Sequence, residues 1–254
     1  MKVRALVLNT FKEAIRDKVF YTLLLFAVLV IIVSVLLGGL SLGVNEKIIK
    51  DIGLAAISLF GVLTAVLVGI SLVYKEIDRR TIYTIISKPV HRYEFLLSKY
   101  LGLCLTLLLN VTAMTMFLFI VIWFQGYSLS LVLLKAILLI FCELMLVTAI
   151  ALLFSTFTSS TLSAVFTLAI YIIGHLTTDL KEIEQASRGW LSRYITNFCY
   201  YVLPNFNNFN IRAEVVHGVD ISGVYLLGVI TYCIFYTAIV LFISILSFQR
   251  REFD

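Results

Sequence analysis

Along the chain, long uninterrupted apolar runs alternate with short polar breaks. The runs at residues 19–44, 52–74, 100–124, 131–154, 162–178 and 221–248 have the apolarity and length of membrane-crossing helices, which need about 20 residues to cross a hydrocarbon core of about 30 Å. Segments of about ten residues with alternating polarity, the pattern of barrel strands, do not occur. The pattern predicts an all-α integral membrane protein: one transmembrane domain over residues 1–254 with six transmembrane helices. Composition agrees. A mean hydropathy of +1.03 with 61% apolar residues lies far above the roughly 45–50% of soluble domains.

The polar breaks carry the organisation. In residues 2–18, Val3, Leu6, Val7, Thr10, Phe11 and Ala14 recur at helical spacing opposite Lys2, Arg4, Lys12 and Arg16, which predicts an interfacial helix with its basic side toward lipid head groups. A short loop is expected at 45–51 and a tight link at 155–160. The longest break, 179–220, places Ile183, Trp190, Leu191, Tyr194, Phe198 and Val202 at helical spacing, as an aromatic-rich interfacial helix would. Pro204 is expected to end it, and residues 205–210, NFNNFN, to turn.

Residues 75–99 form the most informative break. Pro89 disfavours helix at Lys88, so this segment is expected to bend between a short helix at 81–87 and a second piece, 93–99, that enters the third span.

Net charge is +5, which in a soluble chain would suggest nucleic acid; here its placement matters more. Most of the Lys and Arg residues cluster in 2–18, 75–99 and the C-terminus. The positive-inside rule therefore puts both termini and 75–99 in the cytosol. The first apolar run is too long for a signal-peptide core of about 7–15 residues and is expected to stay in the mature protein. The four cysteines have no CxxC or zinc spacing, so neither an intrachain disulfide nor a metal site is expected.

Glu143 stands near the middle of the fourth apolar run, with Lys135 two helical turns earlier, and Asn110 lies in the third. Intramembrane ionisable groups are costly and face the protein interior or water, so these three are candidates for a pathway or for structural bonds between helices. His175 closes the fifth run, where one histidine reads more readily as a packing residue than as a metal ligand. No phosphate-loop, GxGxxG, GxSxG or HExxH motif is present. No catalytic residue and no cofactor bound by this chain are expected.

Glu76, Arg80-Thr81-Ile82, Ser87-Lys88-Pro89-Val90, Arg92, Phe95 and Lys99-Tyr100-Leu101-Gly102, with Phe154-Ser155, Ile173-Gly174-His175 and Leu203-Pro204-Asn205-Phe206, resemble the permease subunits of ABC-2 type exporters. The branch most similar includes the permease of the nitrous oxide reductase maturation system. Arg80 departs from the glycine that many relatives carry there. The resemblance implies an N-terminal elbow helix at 1–18 and a cytosolic coupling helix between the second and third spans. It also implies a non-catalytic prokaryotic plasma or inner membrane subunit working as two permeases, here a homodimer, with two ABC ATPase subunits that hold the ATP and Mg. On that basis Ile82, Ile85 and Ile86 are the apolar face for the ATPase, Arg79, Arg80, Lys88 and Arg92 its basic rim, and Glu76, Thr81 and Pro89 part of the same segment. His175, Trp190, Tyr194, Phe198 and Pro204 are outer gate candidates. Membrane lipid and an outer accessory protein are further partners, and nucleic acid is not.

Three functions stay open at this stage: the membrane half of an ATP-driven exporter, a proton-coupled carrier or channel using Glu143, and a membrane scaffold. The segment 75–99 also fits an ordinary basic cytosolic loop.

Overall fold

The computed structural model describes residues 2–40, 44–78, 92–128, 130–177 and 202–250. Among these the chain is helical throughout, without strands. In order come α1 (Lys2–Arg16), α2 (Lys18–Leu40), α3 (Asn45–Asp78), α4 (Arg92–Phe124), α5 (Leu131–Ser155), α6 (Ser160–His175), a 3-10 turn η1 (Phe206–Phe209), α7 (Arg212–His217) and α8 (Gly223–Arg250). Five of these, α2, α3, α4, α5 and α8, are long and apolar enough to cross a membrane, and α6 is a shorter apolar helix.

The loop expected at 45–51 is instead the first two turns of α3. Glu46 and Lys50 pair across one helical turn, the spacing that supports helix, and Ile49 on the next face is buried. No helix breaker stands between Asn45 and Ile52, so the helix begins before the apolar run does.

α3 and α5 occupy the middle of the bundle, whereas α2 and α8 leave most of their apolar surface outward, as helices facing lipid do. The centre packs closely because α3 offers glycine where its neighbours approach. A Cβ at Gly53 would lie 2.4 Å from Leu118 Cδ1 of α4, and one at Gly61 would lie 2.6 Å from Leu144 Cδ1 of α5. Small residues at such crossings let helix backbones approach, which drives association where lipid supplies no hydrophobic force. One buried polar bond reinforces the α3–α4 contact: Asn110 Nδ2 donates to Thr64 Oγ1 at 3.0 Å.

α1 lies across the start of α4. A Cβ at Gly102 would be 2.6 Å from Thr10 Cβ and 3.0 Å from the Val7 carbonyl oxygen, so only glycine admits α1 at this distance. The start of α4, the end of α5 and the end of α8 gather on this side, where Thr156 Oγ1 donates to Ser247 Oγ at 3.2 Å. We call it the termini end. At the opposite, distal end, Lys135 near the start of α5 meets Asp220 before α8.

Candidate functional site

The distal half of the bundle is shaped by a helix that stops short. α6 has 16 residues and rises about 24 Å at 1.5 Å per residue, less than the roughly 30 Å hydrocarbon core. Its last carbonyls are taken by the Leu176 N–H, which donates to Ile172 and Ile173, and by Thr177 Oγ1, which donates to the Gly174 oxygen at 2.8 Å.

Against the last turn of α6 packs the 204–217 segment. Phe206 and Phe209, three residues apart and so on one face of a 3-10 turn, are both fully buried. Asn205 shapes the turn by accepting from the Asn207 N–H through Oδ1, while its own N–H donates to Tyr232 Oη of α8 at 3.0 Å. Gly174 makes room: a Cβ there would lie 2.5 Å from Phe206 Cδ2 and 2.6 Å from the Pro204 oxygen.

Four polar side chains from three helices converge under this plug. Glu143 of α5 is 3% exposed. Its Oε2 accepts from Ser58 Oγ of α3 at 3.4 Å, and Ser58 Oγ lies 3.4 Å from Tyr171 Oη of α6. His175 Nε2 stands 3.2 Å from Glu143 Oε1, near enough for an ion pair, although no donor is aimed at Oε1 in hydrogen-bond geometry. His175 Nδ1 lies 3.2 Å from the Tyr171 carbonyl oxygen. The imidazole is held flat against Phe206, with ring centres 5.7 Å apart and planes at 14°.

Beside this group opens a cleft of about 420 Å³, lined by Ser58, Leu59, Tyr171, His175, Asn210 and Arg212 among others. Ser58 reaches the carboxyl group and not the imidazole, so the hydroxyl–base pairing of a serine hydrolase is not assembled. Among the described residues no group of three or more His, Cys, Asp or Glu is gathered as metal ligands would be.

The termini end holds a second polar junction. Arg92 opens α4, and its Nη1 donates to the oxygens of Phe248 at 3.4 Å and Gln249 at 3.1 Å. One turn on, Phe95 stacks on Phe248 with ring centres 6.0 Å apart at 16°. Lys99 is buried, 4.0 Å from Glu13 of α1. The first two turns of α4 are thus fastened to α1 and to the end of α8.

Of the residues singled out from the sequence, Glu143 and His175 are brought together and Pro204 packs against Gly174 beside them. Lys135 is not part of this group: its Nζ donates to Asp220 Oδ1 at 2.6 Å and to the Ile221 oxygen at 2.8 Å. Asp220 is held below its ordinary pKa, first by that hydrogen bond and then by the Ile221 N–H. Asn110 bonds Thr64, away from both. Glu76 falls within the last turns of α3. Arg79, Arg80, Thr81, Ile82, Ile85, Ile86, Lys88, Pro89, Trp190, Tyr194 and Phe198 lie outside the described residues. Ser58, Tyr171 and Arg212 were not foreseen, and Phe206 entered only through the resemblance, without a role; the three-residue spacing of the phenylalanines in NFNNF was the available sign of a buried turn.

A family model described as ABC-2 family transporter protein matches residues 4–253. No curated protein matches the chain.

Proposed function

The chain belongs to the ABC-2 family of transporter proteins, and from that premise we propose that it is the permease of an exporter driven by a separate ATPase subunit docking on residues 75–99. In this reading the termini end faces the cytosol of a prokaryotic plasma or inner membrane. Two permease copies work with two ATPases, which bind the ATP and Mg.

The observation that carries the proposal is the fastening of α4. A force applied between α3 and α4 reaches α8 through Arg92 and the Phe95–Phe248 stack, and α1 through the Gly102 crossing. A push that reaches the start of α4 is then passed to α1 and α8 as well. Nucleotide binding by the partner shifts the balance between two arrangements of the bundle, as far as its affinities for the two differ. Ile82, Ile85 and Ile86 supply the apolar docking face and Arg79, Arg80 and Lys88 its basic rim. Arg92, assigned to the same rim, also bonds the end of α8.

Replacing Ile82 and Ile85 by aspartate, or reversing the charge of Arg79 and Arg80, is expected to detach or uncouple the ATPase while membrane insertion persists. Unchanged co-purification and ATP turnover in those variants would overturn the assignment.

A further inference from the structure

We propose that Glu143 and His175 form a one-proton binding site between α5 and α6, supplied through the cleft that Arg212 lines. This inference does not depend on the ATPase reading.

The imidazole's tautomer follows from its neighbours. The Tyr171 carbonyl oxygen, 3.2 Å from Nδ1, can only accept a hydrogen bond, so Nδ1 carries a hydrogen. Nε2 then faces Glu143 Oε1 at 3.2 Å with a lone pair, unless a proton is present. Without that proton two electron-rich atoms oppose each other, a costly arrangement for a carboxylate that is 3% exposed. With two, an imidazolium and a carboxylic acid leave a net positive charge facing the Arg212 guanidinium. With one, shared as imidazolium–carboxylate or imidazole–carboxylic acid, the pair is neutral. The two groups therefore hold that proton jointly.

The surroundings make this a site rather than a closed structural bond. A structural glutamate in a bundle has its oxygens saturated, yet Oε1 has no aligned donor and Oε2 has only the 3.4 Å bond from Ser58. Among the described residues, the groups facing the pair are the Ser58 hydroxyl from α3, the Tyr171 hydroxyl from α6 and Arg212 from α7. η1 offers only the ring of Phe206. Ser58, Tyr171 and His175 all line the cleft, which gives water a route to the pair.

The position couples proton exchange to motion. α5 and α6 are joined by the short 156–159 turn at the termini end, and Glu143–His175 is a contact between them near the opposite end of α6. Moving that end of α6 away from α5 splits the pair, and its proton leaves to water in the cleft.

The test uses the purified full-length protein in lipid nanodiscs with ¹⁵N-labelled histidine, followed by NMR and infrared spectroscopy across pH. One imidazole resonance, identified by its loss in His175→Gln, is expected in the Nδ1–H form. It should titrate together with a carboxyl stretch that disappears in Glu143→Gln, and its titration should shift in that variant. His91→Gln and His217→Gln are expected to leave both signals unchanged. A His175 signal that titrates as a free imidazole, or an Nε2–H tautomer, in the unmodified protein overturns the proposal. That reading stands even if Glu143→Gln fails to insert.

Discussion

Arg92 and Gln249 are 157 positions apart in the chain, yet Arg92 Nη1 donates to the Gln249 oxygen at 3.1 Å. The last carbonyls of a helix have no partner within it, and a cation there also complements the helix dipole. Arg92 supplies both for α8 from the first position of α4. Arg92→Ala is expected to lower stability by about 1 kcal/mol, allowing for a junction that is partly exposed. Arg92→Lys should recover only part of this, because an ammonium is a point charge and lacks the guanidinium's rigid fork. Thermal unfolding of the three proteins in one detergent checks the order.

The Phe95–Phe248 stack carries the same connection through apolar contact. A double-mutant cycle with alanine at both positions should give a coupling energy of about 0.5–1.5 kcal/mol, the range for aromatic pairs. A coupling near zero would mean that the rings are neighbours without mechanical consequence.

Gly102 sets the position of α1. Gly102→Ala places a Cβ 2.6 Å from Thr10 Cβ, so it should cost about 1–3 kcal/mol, as overpacking does. Thr10→Ala should not rescue it, because the clashing Cβ remains, whereas Thr10→Gly should restore part of the loss. Stability measured across the six combinations distinguishes this clash from a general dislike of substitution.

The Lys135–Asp220 pair predicts a pH dependence. Asp220 is held below its ordinary pKa in the folded protein. Its stabilising contribution is therefore complete above the ordinary carboxylate range, near 3.9, and is lost as pH falls through the lowered folded value. The wild type should be more stable than Asp220→Asn near neutral pH, and the two should converge in strong acid. Melting temperatures of both proteins over that window provide the measurement.

Hydropathy made the spans legible in the sequence, because lipid selects for apolar length whatever the tertiary contacts. It did not reveal that α3 begins at Asn45, since that extension rests on a local Glu46–Lys50 pair and one buried face. It also extended the fifth run to residue 178, whereas α6 closes at His175 and η1 packs against its last turn. The candidate site was half legible. Glu143 stood out as an ionisable group at membrane depth, but its pairing with His175 did not, because pattern alone does not show which helix ends level with the middle of another. Ser58, Tyr171 and Arg212 carry no signal of their own; they matter because α3, α6 and α7 meet there. The bond from Arg92 to the end of α8 was not legible either, because carbonyls so distant in sequence leave no local trace.

The central claim is that the power source is another polypeptide acting on residues 75–99. Purification from native membranes, with identification of every co-eluting subunit, tests it most directly. An ABC ATPase should co-elute with the wild type and be lost from a variant in which Ile82 and Ile85 are both aspartate. A chain that purifies without any ATPase and transports in proteoliposomes on its own would contradict it.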